Sequence, residues 1–125
     1  MSDCTFSMEF IDVASHRFRL LAAPMRLKIL RSLKGGEKTV GQMAAALNAK
    51  QPNISKHLKV LTDAAILGKR SEGRSVHYSI ADTGIQELID RVLDSSVRTM
   101  KAQAKKLGLR VSVSRIEALM NRPGP

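Results

Sequence analysis

Apolar residues first recur at helical spacing between about Ser7 and Ala22, where Phe10, Ile11, Ala14, Phe18 and Leu21 share a side and Glu9, Asp12, His16, Arg17 and Arg19 take the others. Ala23-Pro24 ends this helix, and Pro24 suits the first turn of the next, with Leu27, Ile29, Leu30 and Leu33 as its apolar side and Gly35-Gly36 as its stop. Thr39-Val40-Gly41-Gln42 has the form of a capping box, which predicts a short helix with Val40, Met43, Ala44 and Leu47 inward. After the brief turn Asn48-Ala49-Lys50, Gln51 to Leu61 reads as another helix, opened by Pro52 and carrying Ile54, Leu58 and Leu61 on a stripe that must be buried. Beyond Ala65 the period drops to two. Val76, Tyr78 and Ile80 alternate with His77 and Ser79, and Ser71-Glu72-Gly73-Arg74 supplies the turn of a β-hairpin. Thr83-Gly84-Ile85-Gln86 reads as a second capping box, opening a long helix whose broad apolar face runs from Ile85 to Leu107 before Gly108. Ser114-Arg115-Ile116-Glu117 is a third, for a short final helix, and Arg122 to Pro125 should fray.

The elements predict a mainly α chain with a small β-hairpin wing, in which two short helices and their tight turn make a helix-turn-helix. All 125 residues form one domain: helices at 7–22 and 82–107, the helix-turn-helix at 39–64, the wing at 66–80 and a tail at 109–125. The first and long helices carry more apolar face than one small core needs, so they are expected to form a homodimer interface. With 43% hydrophobic but only 3% aromatic residues, aliphatic side chains fill the interior, which favours packed helices over a β-sandwich.

Charge then adds a partner. Lys and Arg number 21 against 11 acids, a net +10 with pI near 10.4, the footprint expected of a nucleic-acid binder. Residues 17–74 alone hold thirteen bases against three acids, Glu37, Asp63 and Glu72, while the flanks cancel each other. The excess therefore surrounds the helix at Gln51. Its outward face offers Pro52, Lys56, Lys59 and Asp63, with Asn53 and Ser55 on the shoulders, a surface of short polar groups and cations that suits a DNA groove. Its free N–H groups and positive dipole end suit a phosphate. Lys69, Arg70 and Arg74 make the wing basic. Few aromatics are available to stack single strands, which favours double-stranded DNA over RNA. A basic RNA- or ribosome-associated module, or a protein coating the chromosome without sequence preference, is the alternative.

Other chemistries find little support. Ser55 and His57 lie two apart, hence about 200° apart around a helix, and cannot form a nucleophile and base pair. No glycine-rich phosphate loop is present, so an enzyme is not expected, and no cofactor is implied. Cys4 is the single cysteine, which rules out an intrachain disulfide and fits a reducing cytoplasm. Neither a signal peptide nor an apolar run near the ~18 residues of a membrane span is present, so a soluble cytoplasmic protein is expected. Glu9, Asp12 and His16, with Cys4 or Asp3 nearby, form the one residual grouping of metal-capable donors.

Three segments in register resemble the ArsR/SmtB family of winged-helix repressors, most closely over residues 20–80. They are Leu21-Ala22-Ala23-Pro24-Met25-Arg26-Leu27-Lys28-Ile29-Leu30, Gln51-Pro52-Asn53-Ile54-Ser55-Lys56-His57-Leu58-Lys59-Val60-Leu61 and Glu72-Gly73-Arg74-Ser75-Val76-His77-Tyr78. The resemblance implies a homodimeric repressor of an inverted repeat, released by an inducer. Gln51, Asn53, Ser55 and Lys56 would face base edges or nearby phosphates, Lys59 would face outward, and Lys69, Arg70 and Arg74 would hold backbone from the wing. His57 matches the family's S-x-H, but its place nearer the core predicts a semi-buried or phosphate-facing imidazole. The chain departs from the family's metal sensors: Thr39 to Met43 carries no thiolate pair, and no histidine follows His77. Metal ligation at those two sites is not expected, and the inducer, small molecule or redox signal, is unassigned. A redox-responsive repressor acting through Cys4 is a further alternative.

Overall fold

Ile54, Leu58 and Leu61 have no accessible surface, and they sit at the centre of a core shared with Ile29, Leu30, Met43, Ile66 and Leu67. The computed structural model describes residues 7–108 and Ala118. Helix α1 spans Met8–Leu21, α2 Pro24–Ser32, α3 Val40–Leu47, α4 Gln51–Asp63 and α5 Thr83–Lys106. A 3-10 turn, Leu33–Gly35, follows α2. Strands β1 (Lys38–Thr39), β2 (Leu67–Glu72) and β3 (Ser75–Ile80) form an antiparallel sheet in the order β1-β3-β2.

Helices α3 and α4 make the helix-turn-helix, and local chemistry fixes both ends of α3. The Thr39 hydroxyl accepts from the Gln42 N–H at 3.2 Å while the Gln42 side chain accepts from the Thr39 N–H at 2.9 Å, the reciprocal capping expected from the sequence. At its other end Asn48 turns left-handed at φ 50°, and the Ala49 N–H reaches back to the Ala44 carbonyl. The same closure ends α4, with the Ile66 N–H on the Leu61 carbonyl and the Ala65 N–H on the Thr62 carbonyl, each at 3.0 Å. Here the left-handed residue is Ala65, at φ 59°, where glycine would carry no Cβ penalty.

Two boundaries differ from the sequence expectation. Asp82, not Thr83, caps α5: its carboxylate accepts the Ile85 N–H at 3.2 Å, while the Gln86 amide donates forward to Asp90. The second capping box is therefore not formed, because an ionised carboxylate one residue earlier is the stronger acceptor for the helix's open N–H groups. The hairpin also gains a third strand, since Lys38 and Thr39 pair with Tyr78 and His77. The Lys38 ammonium bonds to the Ser32 carbonyl and anchors that strand to the end of α2. Cys4, Asp3, the Ser114 to Glu117 box and most of the 109–125 tail lie outside the described residues.

Helix α4 is also tied to α1 and α2 by a polar link. The Arg26 guanidinium donates to the Leu20 carbonyl at 3.1 Å and to His57 Nδ1 at 3.2 Å. As an acceptor at Nδ1, His57 must be neutral there. Burial, followed by the cations Arg26 and Lys56, holds its pKa below the ordinary value.

Ala65→Gly relieves the left-handed alanine, and we expect it to stabilise the fold by roughly 0.5–1 kcal/mol, read as a rise in Tm. The lowered His57 pKa means the unfolded chain binds its proton more readily, so stability falls as pH drops below the unfolded value of about 6.5. His57→Gln keeps an acceptor without the titration. The Tm of this variant is expected to gain on the wild type as pH is lowered through that window and to run parallel to it above pH of about 7.5.

Candidate DNA interface

Burying Ile54, Leu58 and Leu61 turns the opposite side of α4 to solvent, and Gln51, Pro52, Asn53, Ser55, Lys56 and Lys59 are all exposed. Pro52 occupies the first turn and no side chain caps that end. The start of α4 is thus open to an outside acceptor. The Gln51 side chain turns back toward α3, its amide nitrogen 3.7 Å from where a Cβ on Gly41 would lie. His57 is half-buried and engaged by Arg26, so it stands beside the exposed row instead of in it.

The cations of the site divide into paired and unpaired groups. Lys59 is bonded to Asp63 at 2.9 Å, one helical turn on, with both side chains mostly exposed. Arg70 is more fully engaged: its guanidinium grips Glu37 through two nitrogens and meets Glu72 at 3.0 Å. Those bonds, first to Glu37 and then to Glu72, raise the Arg70 pKa further and lower that of Glu37. All three acids of the basic stretch are consumed in this way. Lys56, Lys69 and Arg74 are exposed and have no ion partner among the described residues. Arg74 sits at the hairpin tip, where Gly73, at φ 61°, takes the first of two turn positions between Glu72 and Ser75.

Asn53, Ser55 and Lys56 are therefore left exposed around the side of α4 away from the core, with Asn53 and Ser55 on opposite flanks of Lys56, and Lys69 and Arg74 are exposed on the wing, while Lys59 and Arg70 are held by carboxylates. Sequence reasoning missed Glu37 and Arg26 as parts of this region. An acid immediately before β1 was the only local signal for Glu37. Arg26 stood inside a recognisable motif without its partner being apparent. Glu9, Asp12 and His16 do not converge: Glu9 takes the Ser7 hydroxyl, and no group of three metal-capable side chains occurs among the described residues. Charged groups on a solvated helix face gain more from water than from approaching one another. No helix among those residues is long and apolar enough to cross a membrane.

The bacterial regulatory protein pattern of the arsR family matches residues 23–68, which covers α2, the helix-turn-helix and the start of β2. The transcriptional repressor SdpR of Bacillus subtilis is 36% identical over 77 residues, which are 62% of this chain and 86% of SdpR. The transcriptional repressor SmtB of Mycobacterium tuberculosis is 35% identical over 81 residues, 65% of this chain and 60% of SmtB. In structure, a homodimeric winged helix-turn-helix DNA-binding domain from Mycobacterium bovis aligns with a TM-score of 0.69 at 25% identity, over 82% of this chain and 93% of that one. A capped helix-turn-helix, a basic wing and these relatives agree, and the chain belongs to the arsR family of bacterial regulatory proteins, as a DNA-binding transcriptional repressor of the ArsR/SmtB type.

Proposed function

We propose that the protein acts as a homodimer that represses transcription from an inverted-repeat operator. Asn53 and Ser55 of α4 read base edges, Gln51 and Lys56 contact bases or adjacent phosphates, and Lys69 and Arg74 hold the flanking backbone. The observation that carries this reading is that Lys56 stands opposite the buried stripe of α4 with Asn53 and Ser55 exposed on its two flanks, while the other side of the helix is committed to the core. Phosphate contacts set orientation, and short polar side chains on a groove-sized helix supply base discrimination. A non-specific coating protein would need the charge but not polar side chains turned outward by a fully buried stripe. A catalytic role finds no support, since Ser55 faces solvent while the His57 ring is engaged by Arg26.

Dimerisation is supported by the apolar surface left on the two long helices. On α1, Ile11, Val13 and Phe18 are 51%, 59% and 57% exposed, and on α5 Val92 and Met100 are 54% and 52% exposed. Between these helices Phe18, Leu21, Leu88 and Val92 border an apolar groove of 180 Å³. Such a face is costly in water and is relieved by a second copy. The Arg17 to Asp82 ion pair, 2.7 Å long, braces α1 against the start of α5 and keeps the surfaces together. The inducer is proposed not to be a metal held at the family's thiolate or long-helix sites, because the corresponding positions carry Thr39 to Met43 and no histidine beyond His77.

Selection from randomised duplex is expected to recover an inverted repeat. Asn53→Ala should then relax discrimination at one base pair of each half-site by roughly 1–3 kcal/mol; an undiminished motif would remove that residue from base reading. Phe18→Glu is expected to shift the native mass from dimer to monomer at micromolar concentration and to weaken operator binding, whereas a dimer of unchanged mass would exclude α1 from the interface.

A further inference from the structure

Alternation along β2 divides the basic residues of the wing between two faces of the sheet. Leu67, Lys69 and Ser71 pair with Ile80, Tyr78 and Val76, and this face lies on the core: Leu67 is buried, and Tyr78 and Ile80 pack against the cluster that seats α4. Arg70 and Glu72 pair with His77 and Ser75 on the other face. There the Arg70 guanidinium meets Glu72 on its own strand and Glu37 just ahead of β1. Because the strand order is β1-β3-β2, the bond to Glu37 crosses the central strand and joins the sheet's two edges.

We propose that Arg70 is a positioning residue and not a phosphate contact: with Glu37 it forms a tie across the outer face of the sheet that sets the wing, so that Lys69 and Arg74 reach the DNA backbone. This rests on the DNA-binding reading above and changes one of its parts. Three observations carry it. Arg70 lies on the sheet face away from the core that seats α4. Its fork is occupied by two carboxylates, a planar two-nitrogen grip that a freely sampling surface arginine lacks. And β1, only two residues long, needs a fixed neighbour, since so short a strand holds few ladder bonds of its own. The tie adds a lateral restraint on the outer face to the β1–β3 pairing and the core packing of Tyr78 and Ile80.

Glu37→Gln separates the two possible roles by the sign of its effect. The variant raises net positive charge and releases Arg70 from the Glu37 carboxylate, leaving Glu72 as its partner. If Arg70 were a phosphate contact restrained by its carboxylates, binding would tighten. The tie predicts the opposite: the Kd for the selected inverted-repeat duplex rises roughly three- to fivefold, Arg70→Gln raises it by a similar factor, and the double variant is no worse than either single one. In a Lys69→Ala, Arg74→Ala background the same substitutions should leave Kd unchanged, because no wing cation remains to be positioned; a general loss of folding would weaken that background too. Melting curves for each variant run alongside, and Glu37→Gln stands as the test if Arg70→Gln fails to fold. Unchanged or tighter binding by Glu37→Gln overturns the tie, as does an undiminished effect in the double-alanine background. Wild-type protein that shows no salt-dependent binding to the duplex overturns the DNA reading itself, and the tie with it.

Discussion

The structure depends above all on the burial of one stripe of α4. Ile54, Leu58 and Leu61 are fully enclosed by residues from α2, α3 and β2, and once they are inside, the direction of every other side chain on the helix is set. Fully burying each such aliphatic side chain contributes about 1.5–3 kcal/mol, so three on successive turns outweigh any local preference the exposed residues have. The exposed face is therefore free of folding duties and can be composed for a partner. Reciprocal capping of α3 by Thr39 and Gln42, and the left-handed closures at Asn48 and Ala65, fix how this helix enters and leaves the core.

Polar links then hold the frame at its corners. Arg26 joins the last turn of α1 to α4 through His57, Arg17 joins α1 to the cap of α5, and Lys34 reaches Asp90 on α5. These pairs lie at least partly in solvent, where single ion pairs contribute little to stability, so their value is geometric. They connect α1 and α5, whose apolar surfaces face outward, with α4. The carboxylates of the basic stretch hold Lys59 and Arg70 and leave Lys56, Lys69 and Arg74 without an ion partner among the described residues.

Much of this was legible in the sequence where the signal was local and periodic. The stripe at Ile54, Leu58 and Leu61, the capping box at Thr39 and the alternation from Val76 to Ile80 each announce an element within a few residues. What was not legible depended on partners distant along the chain. Glu37 and Arg70 are 33 residues apart, and Arg26 and His57 are 31 apart, so neither pairing has a sequence period. Strand β1 was too short to show alternation. At α5 two acceptors competed for one helix start, and the Thr83 pattern concealed the stronger one at Asp82. Ala65 adopts a conformation that favours glycine, and the closing bonds to Leu61 and Thr62 together with the burial of Ile66 and Leu67 beyond it hold the turn there.

Helix α4, with its apolar stripe committed to the core, is proposed to read DNA sequence through the polar side chains left outside. The most direct measurement is a titration of the full chain, at one fixed salt concentration, against its selected inverted repeat and against random duplex of equal length. Binding to the inverted repeat is expected to be tighter by ~10³-fold or more, the margin that separates specific from backbone-only recognition. Equal affinity for the two duplexes would contradict it.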